Sequence, residues 1–246
     1  MAYYILFDTE TTGKEEEDRV IQFGSMVINQ KGDIETFDEL CSSEISIKLE
    51  AMEKHNITPN LIKDKPKAIQ TKFYKKLEEL NSSENFLIAH NINFDLEMLK
   101  KEGFINKYQL IDTLRCAKHL FSELPYHRLQ YLRYALELYK LEKNEAEKYN
   151  IIIKAHDAIG DVLVMKLFLS KLVTKVRELY PTEKPMEKLV ELSQTPVFIN
   201  TFKFGKYKEQ NIEEVVKSDR NYLEWMISNM RLDEDMKFTL NKVLNI

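Results

Sequence analysis

The chain has 246 residues, 36 basic against 40 acidic, for a formal net charge of −4. That length allows one sizeable core and a small second unit. No run approaches the ~18 uncharged apolar residues of a membrane helix, which excludes a helical span, and the charge argues against a broad basic surface for nucleic acid.

The first residues run straight into an apolar segment, with neither a basic start nor a small-residue cleavage site, so no export and a cytoplasmic location are expected. Cys41 and Cys116 lie far apart without a CxxC partner. They are expected to be reduced thiols and not zinc ligands. Residues 3–7 (Tyr-Tyr-Ile-Leu-Phe) read as a short buried strand. Residues 20–28 read as a second strand, 29–33 as a turn and 34–40 as a third strand, an antiparallel meander. From 49 to 80 the period is helical, broken by Pro59 and Pro66. Residues 86–90 form another buried strand. Asn93 is expected to cap the following helix, whose apolar face carries Phe94, Leu96, Met98 and Leu99. Residues 108–111 are a short strand, and Asp112-Thr113 open a helix through Leu120. Residues 129–141 and 157–179 are helical by period. Strands first, then alternating strand and helix, indicate an α/β layer fold with a mixed sheet.

Residues 180–196 hold Pro181, Pro185 and Pro196 around one amphipathic stretch, 186–192, and read as a linker with room for a short helix. Residues 198–246 form a small unit with a turn-like segment at 204–207 and two helical stretches, 222–230 and 235–244. There is no internal repeat and no low-complexity tract.

The chemistry lies in acids at three places. Asp8 and Glu10 follow the first strand in Phe7-Asp8-Thr9-Glu10-Thr11-Thr12-Gly13. Side chains two apart on a strand share a face, so both carboxylates emerge together. Like charges so placed need a cation or must shift their pKa values. Alone, the pair also reads as a strand ending in solvated residues. Asp95, in His90-Asn91-Ile92-Asn93-Phe94-Asp95, falls in a first helical turn, where the helix dipole favours a carboxylate. Alone it reads as an ordinary first-turn acid. Asp161 and His156, in His156-Asp157-Ala158-Ile159-Gly160-Asp161, precede a strongly apolar helix. At ~3.6 residues per turn the two are about 140° apart, so they share a site only if His156 precedes the helix or lies in its frayed start. Strand ends and helix starts gather at one edge of an α/β sheet, where such folds place ligands. Four carboxylates there suit two Mg²⁺ or Mn²⁺ ions better than Zn²⁺, and a histidine could accept the proton of an attacking water.

In order and local spacing, over about residues 1–175, these segments resemble the three motifs of the DEDDh (DnaQ-like) exonucleases of the ribonuclease H-like superfamily. The resemblance implies a mixed sheet flanked by helices and two divalent ions. Asp8 would bridge the ions, Glu10 and Asp161 would complete the first site, and Asp95 would hold the second. His156 would be the general base. Thr9, Thr11, Thr12, His90, Asn91 and Phe94 would border the terminal nucleotide, and Asp112-Thr113 would be architectural. The reaction would release 5′-mononucleotides from a free 3′ end.

At the C-terminus, Phe202-Lys203-Phe204-Gly205-Lys206-Tyr207-Lys208 interleaves basic and aromatic residues. With 212–216 and 222–226 it resembles the small α+β domain of exonuclease X-like proteins, although Glu209 and Gln210 stand where that pattern has a glycine. Bases stack on aromatic faces and lysines follow phosphates; a hairpin with an apolar inner face and a solvated lysine face is the preferred reading of the segment by itself. Trp225 and Tyr222 share the helical spacing of the apolar positions and are expected in the core. The implied layout is a nuclease domain at 1–175, a linker at 176–196 and a nucleic-acid or partner domain at 197–246. DNA in repair or end processing is the expected substrate, and no membrane partner is expected. The alternatives are an exoribonuclease, a polymerase proofreading subunit, a phosphatase with Asp8 as nucleophile, and a non-catalytic scaffold.

Overall fold

The structure, a computed structural model, describes residues 2–152 and 157–246. The chain divides into two compact units, Met1–Ser193 and Gln194–Ile246.

In the first unit, β1 (Tyr4–Thr11), β2 (Val20–Ile28) and β3 (Ile34–Leu40) form the expected antiparallel meander, and β4 (Phe86–Ala89) and β5 (Gln109–Asp112) add in parallel. The mixed sheet has the order β3-β2-β1-β4-β5. Its alternation builds two cores. Leu6, Met26, Ile88 and Ile111 point to one face. Ile5, Phe7, Phe23, Val27 and Leu87 point to the other, as a two-residue period requires.

Helices α1 (Leu49–His55), α2 (Pro59–Ile62), α3 (Lys72–Glu79) and α4 (Ile92–Lys101) follow the meander and flank β4. Then come α5 (Thr113–Leu120), α6 (Leu129–Ala135), α7 (Tyr139–Tyr149), α8 (Ala158–Leu179) and α9 (Pro185–Gln194). Helix α8 lies across β1 and β2. Its start sits so close to the sheet that a Cβ on Gly24 would fall 2.3 Å from the Ala158 carbonyl carbon and the Ile159 nitrogen. Only glycine permits that approach.

Several expectations change. Strand β1 does not stop at Phe7, because β2 stays paired with it, Asp8 opposite Gly24 and Glu10 opposite Gln22. Asn93 does not cap α4. Asn91 takes the N-cap position at φ 75°, a left-handed turn that asparagine tolerates, so the helix starts at Ile92. The periodic run 129–141 covers α6 and only the start of α7, which continues to Tyr149, and it is broken where Glu137 takes φ 55°. The stretch 176–196 carries the end of α8 and all of α9, and Leu189 and Leu192 are buried in the first unit's core. Both cysteines are free and buried, and burial pushes their thiols up to about 12.

The second unit holds α10 (Ile212–Ser218), α11 (Arg220–Asn229) and α12 (Glu234–Leu244) around Phe202, Ile212, Leu223, Met226, Leu240 and Leu244. Helix α10 is additional to the two stretches read from the period. Each helix has a side-chain cap, from Asn211, Asp219 and Asp233, each worth about 1 kcal/mol. The segment 202–208 forms turns and not a hairpin of strands; the lone bridge there joins Thr201 and Asn211.

Among the described residues, no helix is long and apolar enough to cross a membrane.

Candidate active site

Pairing between β1 and β4 ends at Leu6 opposite Ile88. Asp8 and Glu10 therefore stand where β1 has outrun β4 and keeps a partner on the β2 side. The step from β4 into α4 brings Asp95 to the same place. Its Oδ1 accepts from the Thr9 backbone N–H (3.1 Å) and from the Thr9 hydroxyl (2.7 Å). From above β1 and β2, the first turn of α8 supplies Asp161. Gln130 of α6 donates to Asp161 Oδ1 at 2.6 Å. Three sequence-distant acidic segments thus meet beside one strand. His156 lies outside the described residues.

The charges are in conflict. Burial pushes the Asp8 carboxyl well above its usual range, and Asp95, Glu10 and Asp161 push it further. Burial, then Asp161, Asp95 and Asp157, raise Glu10 to about 8 against a partial pull from Lys54. Asp95 is raised to about 7 by burial, despite the Thr9 bonds that favour its anion. Carboxyls raised in this way by burial and like charge, as Asp8, Glu10 and Asp95 are, are characteristic of functional sites.

A cleft of about 510 Å³ opens beside Glu10. Thr9, Thr11 and Phe94 line it. Thr12, His90 and Asn91 do not join them there. Thr12 is fully buried, its hydroxyl donating to Asp18 Oδ1 at 2.8 Å. His90 is engaged at both ring nitrogens, by the Thr113 hydroxyl and the His127 carbonyl, each at 2.9 Å. Asn91 donates its backbone N–H to Asp112 Oδ1 at 3.1 Å. Asp112 also accepts from the Leu114 and Arg115 backbone N–H groups, so the Asp112-Thr113 pair ties β4, α4 and α5 together.

Other residues of the site gave no sequence signal. Lys14, Lys48, Lys54 and His55 line the cleft. His55 is buried, with Nε2 3.2 Å from the Thr11 carbonyl and Nδ1 accepting from the Ile57 N–H. Gln22, opposite Glu10, donates to Asp38 and Asp157, while its own Oε1 is buried with no partner among the described residues.

The donor chemistry fits hard divalent cations: carboxylate oxygens that repel one another and an orphaned amide oxygen beside them. Among the described residues, no three acidic, histidine or cysteine side chains already close on a common point as an ion cage. Asp161 and Asp95 are instead turned onto Gln130 and Thr9.

Residues 5–168 match the family model described as Exonuclease, and residues 202–231 match that described as Exodeoxyribonuclease X-like C-terminal. DNA polymerase III PolC-type of Caldanaerobacter subterraneus subsp. tengcongensis is 25% identical over 256 residues, covering 99% of this chain. This chain spans only 17% of that protein's length. Exodeoxyribonuclease 10 of Escherichia coli K12 is 22% identical over 242 residues, 97% of each chain. Among solved structures, Exonuclease X in complex with 5′ overhanging duplex DNA aligns with a TM-score of 0.55 at 18% identity, over 77% of this chain and 99% of that one. The ribonuclease H-like architecture is the fold the two share.

Proposed function

The chain belongs to the exonuclease family, and from that premise we propose that it is a divalent-metal-dependent 3′–5′ exonuclease acting on DNA ends and releasing 5′-mononucleotides. The observation that carries this reading is the gathering of Asp8, Glu10, Asp95 and Asp161 within mutual repulsion beside a cleft. These four would hold two ions, Mg²⁺ or Mn²⁺. Such ions, when bound, supply the positive charge that stabilises the attacking and leaving oxygens of a phosphodiester.

The chain's own residues do the rest. Thr9 fixes the Asp95 carboxylate through two hydrogen bonds, and Gln130 fixes Asp161. Phe94, Thr9 and Thr11 line the space for the terminal nucleotide, and His55 holds the Thr11 carbonyl at its edge. Lys14 and Lys54 stand on the cleft wall, where they offset phosphate charge. His156 takes the proton from the attacking water at its imidazole, a role that rests on its place in the third motif alone. A cytoplasmic location belongs to the same proposal, supported by two free thiols.

A polymerase-associated proofreading role is the second reading, favoured by the PolC-type relative. The C-terminal match to exodeoxyribonuclease X-like proteins favours the end-processing reading. The deciding experiment is a time course on 5′-labelled DNA and RNA of one sequence, with Mg²⁺, Mn²⁺ or EDTA. Stepwise shortening from the 3′ end of DNA, absent in EDTA, is expected. Shortening from the 5′ end, or undiminished activity in EDTA, would overturn the proposal, and faster loss of RNA would move the substrate to RNA.

A further inference from the structure

Helix α11 turns Leu223 and Met226 fully inward. Tyr222 and Trp225, three residues apart, share another side of the helix. Their spacing predicts core positions, yet Trp225 is 51% exposed. It stacks on Tyr222 at 6.0 Å and 23° between planes. Tyr222 in turn meets Tyr207 edge-on at 5.2 Å.

This row is held rigidly. The Tyr207 hydroxyl and the Lys206 ammonium donate to one oxygen of Asp219, at 2.7 and 2.9 Å. Lys206 Nζ also lies 4.8 Å from the Tyr207 ring centre and 5.8 Å from that of Tyr222. Gly205, at φ +76°, lets the loop close over Tyr222, since an added Cβ would come within 2.8 Å of the tyrosine hydroxyl. The loop then presents Lys203, Phe204 and Lys208 outward.

We propose that this aromatic and lysine face is a stacking platform for single-stranded nucleic acid, with Trp225 as its outermost ring. Leaving the chain's single tryptophan half exposed forfeits burial energy in a unit with a small core. The charge around the rings matches a phosphate chain. The loop carries three lysines against Glu209. Lys203 and Lys208 form no ion pair among the described residues, while Asp219 and Glu224 are taken up by Lys206 and Arg220. A flat ring beside unpaired lysines suits a base and its phosphate, whatever the base. A protein partner would instead seek a wider apolar patch.

The proposal rests on the exonuclease reading for the identity of the strand, so its test keeps the two apart. Because Trp225 is the single tryptophan, its emission reports on this face alone. An oligothymidylate of about 16 residues, within the span such platforms cover, is titrated into the full chain in EDTA while the anisotropy of a labelled copy is followed. Saturable quenching in step with binding is expected. Trp225→Ala should weaken binding roughly ten-fold, in the lower half of the range for one lost stack, and Trp225→Phe should recover most of it. Lys203→Ala with Lys208→Ala should lower the salt slope by about 1.4, two phosphates' worth. Binding without any change in emission, or Trp225→Ala binding as tightly as wild type, overturns the platform. The exonuclease reading is judged separately by hydrolysis of the p-nitrophenyl ester of thymidine 5′-monophosphate. That ester has no strand beyond the scissile phosphate, and Trp225→Ala should leave its turnover unchanged.

Discussion

Asp18 and the Asp8 cluster are both acidic groups drawn into the first unit, and the fold treats them in opposite ways. Asp18 is fully buried, yet Lys48 Nζ lies 2.7 Å from it, the Glu15 N–H donates to it and the Thr12 hydroxyl donates at 2.8 Å. Burial pushes its carboxyl up, and these partners outweigh burial, so it ends below the usual carboxylate range. Asp8, Glu10, Asp95 and Asp161 have one another as close neighbours, with Lys54 as a partial counterweight to Glu10. The first arrangement braces the loop after β1. The second leaves a deficit of positive charge, which a fold tolerates where a ligand makes it good.

The largest effect should come from substitution inside the cluster. Asp8→Asn should reduce hydrolysis of a DNA oligonucleotide below detection while leaving the metal-free protein at least as stable. Full turnover in that variant would mean that Asp8 is another solvated acid. Next is the paired site. Lys48→Met removes the ammonium 2.7 Å from the Asp18 carboxylate and should lower stability. A lower Tm is expected by thermal melting. An unchanged Tm would show that the backbone and Thr12 bonds suffice for Asp18.

The pH dependence should have opposite signs at the two places. Glu10 and Asp95 have folded values of about 8 and about 7, above their ordinary 4.5 and 3.8. Their contribution is fully present below the ordinary values and is lost as pH climbs through 7 to 8. Asp18, with its folded value lowered, contributes stability above its ordinary 3.8 that is lost as pH falls. In EDTA, the melting temperature should therefore drop between pH 5 and 9, and Glu10→Gln should flatten that limb without touching the acid limb. A limb equally steep in Glu10→Gln would remove Glu10 from the conflict. The smallest expected change is Gln130→Ala, which frees Asp161 of one charge-assisted bond. A loss of roughly ten-fold in kcat/KM follows from about 1.5 kcal/mol, and no loss would make the 2.6 Å contact incidental.

What could be read from the sequence follows the range of each signal. Asp8, Glu10, Asp95 and Asp161 were legible only as a set, because each local pattern, a strand running into polar residues or an acid opening an apolar helix, also reads as an ordinary acid when taken alone. Gln130 carries no such mark; its partner is 31 residues away on another helix. The Asp18–Lys48 pair likewise spans 30 residues. Periodicity located α6 but reached only the first three residues of α7, and it did not show the break at Glu137, a left-handed residue in an unbroken apolar pattern. It placed Trp225 beside the apolar positions without telling which ring would find cover. His90 and Asn91 were expected to border the terminal nucleotide. Their hydrogen-bonding groups, however, go to Thr113, His127 and Asp112, contacts that exist only once β4, α4 and α5 have packed.

The most direct test of the charge deficit is a calorimetric titration of Mn²⁺ into the full chain at pH 7, repeated in buffers of different ionisation enthalpy. Saturable binding with release of protons, as the raised carboxyls give theirs up, and loss of both in Asp8→Asn are predicted. Absent binding, or binding without proton release that survives Asp8→Asn, would contradict the account.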